Sequence, residues 1–250
     1  MKKLGVLTLL RTMYRTLYLH AVWNFERMQN VGFLYAMLPV IKKLYPEKEK
    51  RIAALKRHLE FFNTHPYMAA PLIGVISSME EQMASGADVK PEDITAVKST
   101  MAGPLAALGD SLFWGALRPL AALFGVTIML WGEGNNKLLG PLFFLVFYNS
   151  FHFYVSFVGF WKGYRLQTRV IETIRNIDFQ GIIEVSRFLG LIVLAAVVMF
   201  FAYQFPPLKS SFFFGLIILL FGALKKGIPH TVLVYVIVFL GFLGSYIGIK

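Results

Sequence analysis

Long apolar stretches separated by short polar ones form the main pattern of this chain. Crossing a bilayer core of about 30 Å takes about 20 helical residues. Residues 138–161 and 228–249 exceed that length, and residues 188–205 just reach it. A shorter apolar run covers residues 211–224. With 56% hydrophobic and only 16% charged residues, the chain is too apolar for a soluble domain. The pattern predicts an all-α integral membrane protein.

The N-terminal quarter has a different pattern. Residues 4–25 alternate apolar and basic positions at helical spacing, which predicts an amphipathic helix lying in the membrane interface. The apolar run 31–41 is too short to cross a bilayer, and residues 46–62 show one apolar face among charges, as a surface helix does. We therefore expect residues 1–62 to form a basic region of interfacial helices.

Residues 66–79, "PYMAAPLIGVISSM", are apolar over only 14 positions and include two prolines. Half-length apolar segments with proline breaks are typical of re-entrant hairpins, which line a cavity. A buried helix of a surface domain has the same composition, and both interpretations stay open here. Residues 80–100 are polar, and we predict an aqueous loop with a short helix from about Pro91.

The stretch "GPLAALGDSLFWGALRP", residues 103–119, combines Gly and Pro breaks with two charges in an apolar setting. We predict a broken helix here and about five crossings in total. A charge at the bilayer centre costs about 2.5–3.5 kcal/mol on insertion scales. Asp110 and Arg118 are eight residues apart, about 12 Å along a helix, too far to pair directly. Asp110 therefore either caps the second half-helix or faces a polar cavity.

Basic residues are unevenly distributed. Residues 1–60 hold 12 Lys or Arg and 4 acids, a net charge of +8. A nucleic-acid-binding arm would have this composition, but in a hydrophobic chain the positive-inside rule is the more economical explanation. Because residues 162–187 are basic and residues 132–137 nearly neutral, we predict a cytoplasmic N-terminus, a cytoplasmic 162–187 segment and an outer C-terminus.

Polar side chains beside the broken segments are candidates for binding a neutral polyhydroxylated solute. Asp110 would accept hydroxyl hydrogens, and Trp114, one turn on, would stack on a sugar face. Asn63 and His65, in "FFNTHP", lie at the mouth of the 66–79 segment. Asn63 as a helix C-cap, with Pro66 as the stop signal, is an equal alternative.

Two further groups are weaker candidates. Asn24 and Gln29 belong to "WNFERMQ", which also fits an interfacial anchor with a local Glu26–Arg27 ion pair. Asn149 and His152 lie within the 138–161 span, where we expect helix–helix hydrogen bonds.

Motifs for hydrolytic or redox chemistry do not occur. The chain has no cysteine, no Walker sequence, no HExxH and no nucleophile elbow, so neither a cofactor nor a metal is expected. The remaining classes are a transporter and a membrane scaffold or docking subunit. An enzyme acting on lipid-linked substrates would need clustered acids, for which only Glu80 and Glu81 qualify.

Six stretches in order, spanning about residues 20–165, resemble the IID membrane component of the mannose/fructose/sorbose-type sugar phosphotransferase system (PTS). Ser111 stands where the family commonly has proline, and beyond residue 165 the likeness is one of hydropathy only. The stretches are "WNFERMQNVGF", "RHLEFFNTHP", "EEQMASGA", "GPLAALGD", "FWGALRP" and "LGPLFFLVFYN".

The resemblance implies a sugar permease subunit in the bacterial inner membrane. Such a subunit pairs with a IIC subunit, the heterodimers associate as trimers, and a hexose is bound between the two subunits. Phosphoryl groups come from separate IIA and IIB proteins. The assembly is therefore a transferase, while no catalytic or phosphorylated residue is expected in this chain. Residues 63–165 would form the core transport region and residues 166–250 a C-terminal transmembrane region.

Overall fold

The structure, a computed structural model, describes residues 3–204 and the positions 215, 218–219, 222–223, 225–229, 232–233, 235–236 and 238–239. Two units make up the chain, Met1–Val193 and Leu194–Lys250. The predicted runs 211–224 and 228–249 lie largely outside the described residues. The predicted count of five crossings is therefore not tested.

Over the described residues the fold is all-α, as predicted, with two isolated β-bridges at residues 24–28 and 28–62 as the extended pairing. The helices are α1 Val6–Thr16, α2 Asn30–Leu44, α3 Lys48–His58, α4 Ala69–Ala84, α5 Pro91–Gly109, a π-helical segment Asp110–Leu117, α6 Arg118–Trp131, α7 Leu139–Leu166, α8 Val170–Arg175 and α9 Phe179–Gln204.

Three of the described helical stretches are long and apolar enough to cross a membrane. They are Pro91–Trp131 with 41 residues, Gly134–Arg175 with 42 and Phe179–Phe200 with 22. The second and third contain or overlap the predicted runs 138–161 and 188–205. The first includes the 103–131 region, which therefore also belongs to a helical stretch long and apolar enough to cross.

Helix α4 lies at the centre of the first unit. Every residue from 69 to 80 is buried, and α7 crosses α4 at backbone distance. A Cβ added to Gly74 would lie 2.2 Å from the Phe160 carbonyl oxygen, and one added to Gly163 would lie 2.1 Å from the Pro71 carbonyl oxygen. Small residues at such a crossing let two backbones approach closely.

The 66–79 segment forms one 3-10 turn, Pro66–Met68, that runs directly into α4. It is therefore a single buried helix and not a hairpin of two short ones. α5 begins at Pro91 as predicted, but it is a long helix of 19 residues, and α4 continues to Ala84. Only the connection between them is loop.

The amphipathic helix predicted over residues 4–25 ends at Thr16 and is followed by turns. The apolar run 31–41 lies within α2, which accommodates Pro39 inside the helix and buries eight of its residues. The N-terminal quarter is thus packed on the core through one face of each helix.

The break predicted in the 103–119 stretch takes the form of a π-helical segment within a continuous helix. Gly109 and Asp110 both have helical backbone angles, and no side chain caps the segment. Asp110 as the N-cap of a half-helix is therefore wrong. A π-helix pairs each N–H with the carbonyl five residues back, so it widens the helix locally without ending it.

Candidate functional site

Gln29 holds the loop of residues 62–65 against the helical core. Its Nε2 donates to the Thr64 carbonyl at 2.7 Å, and the Thr64 N–H donates to its Oε1 at 3.0 Å. The Thr64 hydroxyl donates to the Ala102 carbonyl of α5 at 2.9 Å. Gln29 and Thr64 are both buried. The loop is therefore pinned between the start of α2 and α5, and the Gln29 amide is engaged by that loop.

Asn24 closes the turn that precedes Gln29. Its Oδ1 accepts from the Arg27 N–H at 2.8 Å, and its Nδ2 donates to Asn30 Oδ1 at 2.8 Å. The turn needs this support because Met28 has φ of 57°, a left-handed conformation that non-glycine residues rarely adopt. Asn24 therefore stabilises the turn that positions Gln29. The local Glu26–Arg27 ion pair forms as well, at 3.2 Å and exposed to solvent.

His65 is the buried member of the site, with 1% of its surface exposed. Its ring stacks on Phe113 with centroids 5.2 Å apart and contacts Trp114 edge-on at 4.8 Å. Burial lowers the pKa of His65 to about 4, aided by the nearby His152 and His20. The imidazole is therefore neutral at pH 7.

The hydrogen bonds of His65 define its tautomer. Its Nδ1 accepts from the Tyr67 N–H at 3.3 Å, so the ring proton of the neutral form lies on Nε2. That nitrogen is buried and has no hydrogen-bond partner among the described residues. An unpaired buried donor is costly, and it is supplied with a partner when a solute oxygen or a water comes next to it.

The π-helical segment brings Asp110 and Trp114 to the same place. Gly109, just before it, lies so close to His65 that an added Cβ would be 2.3 Å from the His65 Cβ and Cγ atoms. Asp110 is exposed, and its side chain forms no hydrogen bond or ion pair within the part of the chain described. Trp114 is 45% exposed beside His65. The segment thus presents an aromatic face in contact with the His65 imidazole and, one turn earlier, a free carboxylate.

Asn63 is exposed two residues before His65. The alternative role of Asn63 as a helix C-cap is wrong, since α3 ends at His58 with Leu59 as its cap. Of the six predicted site residues, four therefore lie on the loop 63–65 or on the π-helical segment that it contacts. Of the other two, Gln29 is hydrogen-bonded to that loop, and Asn24 closes the turn that precedes Gln29.

The spans contain two further predicted polar residues. Asn149 donates to the Leu145 carbonyl of its own helix at 2.8 Å, and among the described residues it forms no hydrogen bond to another helix. His152 does reach another segment, and stacks on Tyr67 with centroids 3.6 Å apart. This contact joins α7 to the base of the site.

Sequence reasoning missed a buried ionic cluster around Glu80. The carboxylate accepts from Arg57 Nη2 at 2.7 Å, from His58 Nε2 at 2.8 Å and from the Tyr45 hydroxyl at 2.6 Å. Its donors come from α2 and α3, 22 to 35 residues away in sequence. Glu80 stands at the end of an apolar run, and this position in the sequence does not indicate which residues pair with it.

The protonation states of the cluster follow from burial and contact. Burial raises the pKa of Glu80, but the hydrogen bond from His58 and the contacts with Arg57 and Tyr45 outweigh it, so the net pKa lies below the usual range. Burial lowers the pKa of His58 more than Glu80 raises it. His58 is therefore neutral and donates its Nε2–H to a charged Glu80.

Glu80 and Glu81 are both occupied by structural partners. Glu81 accepts from the Leu4 N–H at 2.6 Å and from the Tyr164 hydroxyl. Across the described residues no group of three or more His, Cys, Asp or Glu side chains could hold a metal ion. These contacts remove the basis for a lipid-modifying site at this pair of acids.

Comparison with known proteins gives a consistent result. Residues 3–211 match the family model described as PTS system mannose/fructose/sorbose family IID component. The chain is 40% identical over 190 residues to the PTS system mannose-specific EIID component of Escherichia coli strain K12, covering 76% of this chain and 66% of that protein. It is 38% identical to the fructose permease IID component of Bacillus subtilis strain 168 over 184 residues, 74% of this chain and 66% of that one.

Solved structures agree over a greater length. A chain in the cryo-EM structure of the mannose transporter ManYZ complexed with microcin E492 is 31% identical and has a TM-score of 0.64, with 99% of this chain and 98% of that chain covered. A second solved membrane protein, also 31% identical, has a TM-score of 0.78 at the same coverage. By sequence, the match spans slightly less than two thirds of the curated relatives' length.

Proposed function

The chain belongs to the IID component family of the mannose/fructose/sorbose phosphotransferase system, and from that premise we propose that it is the sugar permease subunit of such a system. With a IIC subunit it forms the carrier that takes up a hexose across the bacterial inner membrane. Soluble IIA and IIB proteins supply the phosphoryl group, so this polypeptide binds and moves the sugar without reacting with it.

The unpaired Nε2–H of His65, beside the exposed Trp114 and Asp110, is the observation that carries the proposal. A hexose has an apolar face that stacks on an aromatic ring and hydroxyls that both donate and accept hydrogen bonds. Asp110 provides an acceptor and His65 a donor. Asn63, with an amide that does both, completes the set on the same loop.

The IIC pairing draws on a solved relative. The ManYZ structure is that of a transporter with two named membrane components, and we propose that this chain likewise acts in a heterodimer, three of which associate. The exposed position of Trp114 fits a site that the IIC subunit closes from the other side.

Two substitutions test the sugar site. In vesicles containing the IIC partner and supplied with IIA, IIB and a phosphoryl donor, uptake of radiolabelled mannose, fructose and sorbose is measured. Asp110→Asn and Trp114→Ala should each lower kcat/KM by about tenfold or more. For Asp110 the reason is that hydrogen bonds to a charged group contribute about 1.5–3 kcal/mol, and for Trp114 it is the loss of the ring on which the sugar face stacks. Asp88→Asn, a matched exposed carboxylate in the α4–α5 loop, should leave uptake unchanged.

The outcomes distinguish a wrong site assignment from a wrong function. Full uptake by both variants would show that the hexose binds elsewhere in the assembly. A wild-type protein that supports assembly but no uptake of any of the three sugars would favour the scaffold alternative. In that case removal of residues 1–20 would abolish assembly and substitutions at the site would have no effect.

A further inference from the structure

A cationic pocket lies between α1 and α2, on elements that the sugar site does not use. It is a concavity of about 400 Å³ lined by Thr8, Arg11, Arg15, Pro39, Lys42 and Lys43. Four of the six lining residues carry a positive charge and none carries a negative one. We call this concavity the α1–α2 pocket.

Pro39 explains why Arg15 is fixed in this pocket. A proline within a helix has no N–H to give to the carbonyl four residues earlier, which here is that of Tyr35. Arg15 Nη1 donates to this carbonyl at 3.2 Å, and its guanidinium lies 4.5 Å from the Tyr35 ring centroid. One guanidinium of the pocket is therefore held in place before any ligand arrives.

No carboxylate neutralises these charges. Within the described residues Arg11, Arg15, Lys42 and Lys43 form no ion pair. Like charges gathered in one concavity repel one another, so an anion bound there would lower their mutual repulsion.

The surface next to the pocket is apolar. Along α1, Leu7, Leu10 and Tyr14 are 62%, 41% and 56% exposed, while the opposite face of the same helix is buried in the core. A helix with exposed apolar and cationic stripes side by side is typical of the bilayer interface, where head groups meet acyl chains.

We propose that the α1–α2 pocket binds the head group of an anionic phospholipid, with the acyl chains lying along Leu7, Leu10 and Tyr14. The phosphate contacts Arg15 and Arg11, and Lys42 and Lys43 close the pocket from α2. The apolar stripe favours a lipid over a soluble acidic protein, because a protein partner would leave the neighbouring side chains in water. The inference is independent of the proposed sugar site.

The test uses the purified full chain in neutral detergent and native mass spectrometry to measure retained lipid. Dioleoyl phosphatidylglycerol is titrated against the wild type and the triple variant Arg11→Gln, Lys42→Gln, Lys43→Gln. The matched control, Lys48→Gln, Lys50→Gln, Lys56→Gln on α3, removes the same charge. Because each cation near an anionic lipid surface contributes separately, the pocket variant should lose about tenfold or more in affinity and the control less than about twofold.

Two further arms identify the source of the anion. Phosphatidylcholine should bind wild type and pocket variant equally weakly. Millimolar inorganic phosphate should fail to displace phosphatidylglycerol from the wild type. A charge-conserving variant, Arg11→Lys, Lys42→Arg, Lys43→Arg, should bind like the wild type, which distinguishes lost charge from lost folding.

Three results would overturn the proposal. Equal loss in the pocket variant and the α3 control would mean that net charge alone attracts the lipid. Displacement by inorganic phosphate would make the pocket a site for a free anion. Unchanged lipid retention by the pocket variant, with lost binding of a soluble phosphocarrier protein, would make it a protein docking surface.

Discussion

Glu80 keeps a negative charge in the centre of the first unit because three donors surround it. Its side chain has no exposed surface, and that of Arg57 is 10% exposed. A buried pair of this kind gains little over an apolar pair of the same shape, but losing one member leaves the other charged and unpaired. The Glu80 carboxylate also links α4 to α3 and to Tyr45 at the end of α2.

Replacing Glu80 therefore tests how far the fold depends on that group. Glu80→Gln should lower the free energy of unfolding by about 3–5 kcal/mol, because the Arg57 guanidinium stays buried without its counter-ion. Glu26→Gln, which breaks the exposed ion pair with Arg27, should cost less than about 1 kcal/mol. Thermal unfolding of both variants in detergent measures the difference, and equal shifts would contradict the buried-charge explanation.

At the scale of elements, the proposed sugar site depends on a contact between a loop and a helix. Gly109 ends α5 where the 63–65 loop presses on it, and no other residue leaves room for the His65 ring. Gly103, one and a half turns earlier on the same helix, has open space at the Cβ position. The two glycines thus form a matched pair with different surroundings.

Substituting each glycine separates helix propensity from loop contact. Gly109→Ala should lower stability by about 1–3 kcal/mol through overpacking and should reduce hexose uptake, because the His65 loop must move away. Gly103→Ala should raise stability by about 0.5–1 kcal/mol and leave uptake intact. Unfolding temperature and uptake are measured for both variants. Normal uptake by Gly109→Ala would show that the contact is not needed for transport.

Some elements follow from the sequence directly and others do not. The 138–161 and 188–205 runs predict α7 and α9 because long apolar stretches have few alternatives. The π-helical segment gave no such signal, since Gly and Pro in an apolar run mark a chain break as readily as a widened turn. Asp110, Trp114 and His65 were predicted as site residues because polar groups are costly in an apolar setting. The contact between His65 and Trp114 involves a loop that Gln29 holds through two hydrogen bonds to Thr64 spanning 35 residues, and the sequence pattern does not show such long-range bonds.

At the scale of the whole molecule, the helix Gly134–Arg175 separates two polar segments. Its longest regular part, α7, has 28 residues and extends about 42 Å at 1.5 Å per residue, beyond the bilayer core of about 30 Å. Residue 136 before α7 and residue 176 after α8 are both exposed. The distribution of Lys and Arg predicts that the second of them lies in the cytoplasm.

Cysteine labelling tests this orientation, because the natural chain has no cysteine to interfere. In intact cells a membrane-impermeant maleimide should label Asn136→Cys, and it should label Asn176→Cys only after the membrane is permeabilised. Labelling of both positions from outside would show that α7 does not cross. The reverse pattern would show that the chain has the opposite orientation to the one predicted from its Lys and Arg residues.

The π-helical segment sets the rotational phase of everything that follows it. Shortening Asp110–Leu117 by one residue, to an ordinary α-helical length, would turn α6 by about 100° relative to α5. Gly125, which meets the Gly140 carbonyl of α7 at backbone distance, would then point away from α7. The widened turn that exposes Asp110 and Trp114 therefore also keeps α6 aligned with α7. The same local feature determines both the proposed binding surface and the packing of these two helices.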